Sequence, residues 1–129
     1  LVTGVQTCAL PIWFGRENEK SLQLKSDLLK KELHKLGIDS TFPSIKWDYY
    51  QAVLSRGDGS LCEYLIDIYK NGGKLGAFKQ CAKNMGINTD YYAMDTYSYD
   101  KNLPWDFIEI PPGKTFLIEE SKRLISLQK

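Results

Sequence analysis

Histidine and cysteine are scarce in this chain, and it has no long apolar run. His34 is the single histidine, which excludes a metal centre or catalytic triad built on histidines of this chain alone. Inside a Lys-rich stretch it reads as a solvated side chain. The cysteines, Cys8, Cys62 and Cys81, are odd in number and widely spaced. No pair has the two-residue gap typical of zinc or iron–sulfur ligation, so they read as reduced thiols of a cytoplasmic protein. No stretch approaches the roughly 20 apolar residues needed to span a bilayer. Neither sign of charge dominates: 17 Lys and Arg face 16 Asp and Glu, for a formal net charge of +1. That argues against a dominant electrostatic role on nucleic acid or an anionic membrane, and leaves room only for a local basic patch. The length, 129 residues, fits one domain at most.

The first stretch, LVTGVQTCALPI, lacks an initiator Met and a basic leader region, so it does not read as a signal peptide. It looks like the translation of a sequencing-adapter read-through, which would make residues 1–12 non-native and remove Cys8 from the cysteine count. The alternative is a short strand over Leu1 to Val5 followed by a loop. On either reading the native sequence is expected to begin in mid-protein.

Helical periodicity dominates the rest of the chain. Glu17 to Leu36 places Leu22, Leu29, Leu33 and Leu36, with Leu28 beside them, on one stripe. Gly37 is a suitable stop. Ile38 to Phe42 alternates weakly and predicts a short strand or extended link ended by Pro43. Ser44 is a candidate N-cap for a helix with Trp47, Tyr50, Val53 and Leu54 at helical spacing. Arg56-Gly57-Asp58-Gly59 breaks that helix, and its two glycines suggest backbone conformations that bulkier residues resist. Asp58 or Ser60 can cap a third helix, Leu61 to Tyr69, with Leu61, Leu65, Ile68 and Tyr69 as its inner face. Asn71-Gly72-Gly73 stops it. A fourth helix covers Leu75 to Asn84 and is closed by Gly86. Asn88 or Thr89 caps a helical turn over Asp90 to Met94. Asp95 to Pro104 is a polar, Tyr-rich loop. Trp105 and Phe107 form an aromatic pair that needs a pocket, with Trp105 as its anchor. A last helix from Lys114 to about Leu127 has Phe116, Leu117, Leu124 and Ile125 inward. The fold class expected is mainly α, an α+β fragment in which short helices form a small orthogonal bundle with one or two short strands. Such short helices are marginal alone and need mutual packing or a larger partner.

Several motifs invite sharper readings. Arg56-Gly57-Asp58 is the cell-adhesion tripeptide, but no secretory or disulfide signature supports that use. A local role fits better: Asp58 capping a helix and Arg56 pairing with a carboxylate or carbonyl. Gly72-Gly73-Lys74-Leu75-Gly76 resembles a phosphate loop only superficially. Lys74 is not followed by Ser or Thr, and the preceding segment reads as a helix, so a helix–helix connection is expected. Glu63, Asp67, Glu119 and Glu120 fit solvated helix faces. The tyrosines from Tyr91 to Tyr99 can stack on a base or sugar, although packing is the commoner use.

Three ordered segments carry a resemblance. They are Ala52-Val53-Leu54-Ser55-Arg56-Gly57-Asp58, then Gly72 to Phe78 leading to Met85-Gly86-Ile87 and Asp90-Tyr91-Tyr92, then Leu103-Pro104-Trp105-Asp106-Phe107-Ile108. Together, from about Ser21 to Leu127, they resemble the C-terminal region of radical S-adenosylmethionine proteins. The group resembled is the largely uncharacterised one that often carries an N-terminal cobalamin-binding domain. The resemblance implies a parent enzyme whose CxxxCxxC loop, upstream, holds a 4Fe-4S cluster that cleaves S-adenosylmethionine to a 5′-deoxyadenosyl radical. That motif does not occur here, so no catalytic, cofactor or metal residue is carried onto this chain. The link Pro111-Pro112-Gly113 and the turn Gly59-Ser60 depart from the family pattern, which has an acidic link and basic turn residues there.

The resemblance further implies a division into residues 13–44, from the end of the catalytic barrel, and 45–129, a helical C-terminal domain. The partner would be the upstream barrel of the same polypeptide. Arg56, Gly57, Asp58, Trp105 and Asp106 are the structural or substrate-side candidates. A reading from another class is a free-standing helical module that uses the Tyr-rich loop and the Arg56 turn to hold protein or RNA.

Overall fold

The computed structural model describes residues 12–108, 111 and 113–126. The expected strand at Leu1 to Val5, Cys8, and the Glu109-Ile110 and Pro112 parts of the link lie outside them. The described chain is mainly helical: α1 Glu19–Lys35, α2 Ile45–Arg56, a 3-10 turn Gly59–Leu61, α3 Cys62–Lys70, α4 Leu75–Met85, α5 Thr89–Ala93 and α6 Gly113–Ser126. Among the described residues no strand forms. Ile38 to Phe42 takes the extended-link alternative, because a β-capable segment without a partner strand has no ladder to join.

The helix boundaries follow local chemistry. The Asn18 side chain accepts from the Ser21 N–H and starts α1. Gly72, Gly73 and Gly86 adopt positive φ after α3 and α4, where a Cβ would be strained. The Asn88 side chain accepts from the Asp90 N–H at the head of α5. Ser44 occupies the cap position of α2 without a side-chain cap bond.

Two compact units emerge, each with its own core. Arg16–Asp95 is one; the described residues of Leu1–Gly15 and Thr96–Lys129 make the other. The position near Ser44 that the resemblance marks as a boundary falls inside the first. There Val53, Leu61, Tyr64, Ile68, Phe78, Cys81, Ala82 and Ala93 form the buried cluster. Phe78 is its aromatic hub, with the rings of Tyr50, Trp47 and Tyr64 at 4.8, 5.4 and 6.2 Å. The Tyr64 hydroxyl donates to the Phe78 carbonyl at 2.8 Å and so joins α3 to α4 inside the core. Burial pushes that phenol far above its ordinary range.

Two expected stripes are corrected. The inner face of α3 is Leu61, Tyr64 and Ile68, while Leu65 and Tyr69 point to solvent. Tyr64 and Leu65 both stand about one turn after Leu61, so periodicity alone does not choose between them. Along α1, Leu22 and Leu33 are half-buried, Leu28, Leu29 and Leu36 are exposed, and no residue is buried.

The second unit is built on Trp13, Tyr97 and Leu103, all buried, with Trp105, Leu117 and Ile118 packed against them. The Tyr97 N–H donates to the Trp13 carbonyl at 2.6 Å. Tyr99 meets Trp13 edge-on at 5.1 Å, and its hydroxyl lies 3.1 Å from the Ser121 hydroxyl of α6. On α6, Leu117 turns inward as expected, but Phe116, Leu124 and Ile125 are exposed and the buried residue is Ser121. Trp105 is only half-buried and Phe107 is 82% exposed, so the expected aromatic pair does not share a pocket. The tryptophan enclosed by this unit is Trp13. Trp13→Ala should therefore lower stability by about 3–5 kcal/mol, and Trp105→Ala by clearly less. Urea unfolding of both variants checks this; equal losses would contradict the burial order.

Candidate functional site

Arg56, Gly57 and Asp58 fold into one joint between α2 and α3. Helical spacing puts Val53 and Arg56 on the same face of α2, and both are buried. The Arg56 guanidinium donates from Nη1 to the Tyr92 carbonyl and from Nη2 to the Asp95 carbonyl, each at 2.6 Å. Those carbonyls sit in the last turn of α5 and just beyond it, where helix geometry leaves acceptors without intrahelical donors. Two parallel N–H groups on a planar, permanently charged head suit this arrangement in a way that a lysine does not. Arg56 thus takes the carbonyl partner of the two expected kinds.

Gly57 has φ −74° and ψ 168°, an ordinary extended conformation. The expected special backbone is absent; the requirement for glycine is steric. A Cβ there would lie 2.3 Å from Leu61 Cδ1 and 3.0 Å from the Val53 carbonyl oxygen. Gly59 has open space around it. The Asp58 carboxylate accepts from the Ser60 N–H at 2.9 Å and caps the 3-10 turn rather than α3 itself, whose cap position is Leu61 with no side-chain cap bond. Ser60 and Tyr92 hydroxyls meet at 3.1 Å across the same joint.

A second tie in this unit has no counterpart among the expected sites. Arg16 donates from Nε to Asp48 at 2.6 Å and from Nη2 to the Ile45 carbonyl at 2.7 Å, while its own N–H donates to the Ala93 carbonyl. It lies in a segment with no periodicity to flag it. Nearby, the Tyr49 hydroxyl donates to Asp90 at 2.6 Å and meets the Thr89 hydroxyl at 2.8 Å. Burial, then the Asp90 contact, pushes this phenol up to about 12. A cavity of about 450 Å³ opens here, lined among others by Lys46, Tyr50, Lys79, Glu19 and Asp90. Its charges are of both signs, so it is no dedicated anion or cation cradle.

Trp105 and Asp106 lie in the other unit, in a tight turn that closes on itself. The Leu103 N–H donates to Asp106 Oδ2 at 2.8 Å, and the Asp106 N–H donates back to the Leu103 carbonyl at 3.0 Å. Lys114 Nζ meets the same Oδ2 at 2.6 Å and the Lys101 carbonyl at 3.0 Å. The Lys114 ammonium, helped by the Leu103 N–H, holds the Asp106 carboxyl below the usual carboxylate range. A largely apolar cavity of about 920 Å³ is lined here by Trp13, Leu103, Trp105 and Leu117, with Asp106 and Lys114 among its polar groups. Within this unit Trp105 packs against the core and Asp106 ties the turn to α6.

Cys62 is exposed and Cys81 buried; burial pushes the Cys81 thiol up, against the thiolate form a metal needs. Two cysteines cannot supply the three ligands of a cluster loop, so the described residues do not fit a 4Fe-4S cluster. Among the described residues no group of three or more His, Cys, Asp or Glu is placed to hold a metal ion, and no helix is long and apolar enough to cross a membrane. Gly72-Gly73-Lys74 is a connection between α3 and α4, as expected. Compared with known protein families, curated proteins and solved structures, the chain matches none.

The close approach at Gly57 predicts that Gly57→Ala costs about 1–3 kcal/mol, as for other overpacked sites, whereas Gly59→Ala changes stability by at most about 0.5 kcal/mol. Chemical denaturation of the two variants measures the contrast, and similar values would refute the steric account. A carboxyl held low in the folded state adds stability above its unfolded pKa of about 3.9. That contribution disappears as pH falls through the folded value. Asp106→Asn should therefore flatten part of the acid limb of the stability profile below about pH 4, and less so at high salt, since the pair is partly exposed. An unchanged acid limb would show that the pair carries no linkage.

Proposed function

We propose that this chain is the helical C-terminal portion of a radical S-adenosylmethionine enzyme, in which it packs on the catalytic barrel and covers its substrate side. The observation that carries the reading is the apolar surface left outside a small core. Leu24, Leu28 and Leu29 of α1, Leu36 just after it, and Ile66 and Tyr69 of α3 are all exposed, as expected of a module that buries these faces on a larger body. In this reading the cluster and S-adenosylmethionine, and cobalamin if it is used, are held elsewhere in a cytoplasmic parent. A covering module has a physical purpose there, because a carbon radical must be kept from water and oxidants. Arg56, Gly57 and Asp58 then hold the cover in shape, and Trp105 and Asp106 brace its second unit.

The rival reading, a free-standing module for protein or RNA, relies on the Tyr-rich loop as a stacking surface. Tyr97 is buried and Tyr99 packs on Trp13, so those two rings are engaged within their own unit. The genomic reading frame upstream of residue 13 decides between the two. A frame that continues through a CxxxCxxC run, with a product that shows iron–sulfur absorbance and releases 5′-deoxyadenosine, is expected. The 129-residue chain alone should do neither. A start codon directly upstream, or iron–sulfur absorbance from the chain alone, would overturn the proposal.

A further inference from the structure

Asn71 is the only asparagine followed by glycine in the chain. Such a pair is chemically labile. The backbone nitrogen of the second residue can attack the side-chain amide carbon of the first, and glycine offers no side chain to block the approach or to restrict the backbone rotation it needs. The pair ends α3, on an exposed connection to α4. Each participant is held out of reaction there. The Gly72 N–H, which must lose its proton, donates to the Tyr69 carbonyl at 3.0 Å, and the Gly73 N–H donates to the Ile68 carbonyl at 2.9 Å. These two bonds make a Schellman cap. The Asn71 side-chain amide donates to the Asp67 carbonyl at 2.8 Å and lies 3.3 Å from Asp67 Oδ1. Asn71 has φ −94° and ψ 19°. At that ψ the Gly72 nitrogen nearly eclipses the Asn71 nitrogen, whereas a five-membered ring closed through Cβ needs it to eclipse Cβ.

We propose that Asn71-Gly72 is a site of spontaneous self-modification that the cap of α3 keeps shut, and that it reacts only when this helix end opens. In the open state the Gly72 nitrogen gives its proton to a solvent base and bonds to Asn71 Cγ. The Cγ–Nδ2 bond breaks, and Nδ2 takes a proton from solvent and leaves as ammonia. One water then opens the cyclic imide. Attack at Cγ yields aspartate, and attack at the backbone carbonyl yields isoaspartate. No electron is transferred, so the step needs no oxidant or reductant. Both products undo the cap. Isoaspartate routes the backbone through Cβ and lengthens it by one carbon, which moves the Gly72 and Gly73 donors away from Tyr69 and Ile68. Either product puts a new carboxylate at the negative end of α3, beside Asp67. Ile68 belongs to the buried core, so a loosened cap borders the α3–α4 packing directly. The chemistry is confined to this connection and is independent of the identity of any parent enzyme.

The test incubates the full chain in mildly alkaline buffer, folded and in urea, and follows peptides that contain position 71 by mass spectrometry for the gain of one mass unit. Asp58-Gly59, which can form the same imide by losing and regaining water, leaves the mass unchanged and does not confuse the reading. In urea the gain should appear at position 71 before any other asparagine, as a mixture of isoaspartate and aspartate. The folded chain should gain it at least about tenfold more slowly. Gly73→Ala puts a Cβ at φ +65° with open space around it, so it strains the cap without a clash. It should raise the folded rate about fivefold and leave the rate in urea unchanged. Circular dichroism checks that this variant keeps its helices, and the comparison of the unaltered chain in its two states stands without it. Equal rates in the folded chain and in urea would overturn the proposal, as would the absence of any gain at position 71 in both. So would a folded rate untouched by Gly73→Ala, or a product that is aspartate alone, the mark of direct amide hydrolysis.

Discussion

The buried guanidinium of Arg56 is the contact on which the larger unit depends. A cation this enclosed is costly unless its donors find acceptors. Two of them find backbone carbonyls at the end of α5, at Tyr92 and Asp95. Because those acceptors are backbone carbonyls, the bonds satisfy donors without neutralising the charge, and they also position the chain. They fix where the chain runs after α5, 39 residues further along than Arg56. Ala93 lies in that turn, fully buried in the core. Its carbonyl accepts from the Arg16 N–H, so the opening segment is tied to the same end of α5. Loss of Arg56 would release three segments together, since the carbonyls it holds and the one that holds Arg16 belong to one short stretch.

Close packing at Gly57 is the steric counterpart of that bond. Leu61 can reach the core only because nothing projects from Gly57. With Leu61 in place, Tyr64 and Ile68 follow at helical spacing, and Tyr64 reaches Phe78. The Arg–Gly–Asp run is thus three different devices in succession: a buried clamp, a point of close approach and a cap. None of the three requires a ligand to explain it, which is why the adhesion motif carries no weight here.

Much of this was legible in the residues. Caps and glycines mark helix ends by local chemistry, so Asn71-Gly72-Gly73, Gly86 and Asn88 announced their boundaries. A charged residue at a helix end beside glycines has few uses other than capping or clamping, which is how Arg56 and Asp58 are engaged. What was missed depends on geometry between segments. The pattern of α3 points to Leu61 and Leu65, but Tyr64 stands one turn from Leu61 equally well, and it is the one that the core takes in. Trp13 and Arg16 belong to a stretch without periodicity, and only the tertiary fold shows that one closes a core and the other grips Asp48. The Leu stripe of α1 was real as a pattern, yet periodicity does not say which neighbour a stripe will meet.

That last gap bears directly on function. The polar groups with the most constrained geometry, at Arg56, Arg16 and Asp106, are all engaged in holding backbone in place. Apolar surface on α1 and α3 stays outside that architecture, at Leu24, Leu28, Leu29, Ile66 and Tyr69. A chain that keeps its polar groups for its own architecture and leaves leucines outside is chemically suited to covering something else. On the proposed reading the something else is a radical-generating barrel. The force that holds the cover in place would then be hydrophobic burial at α1 and α3.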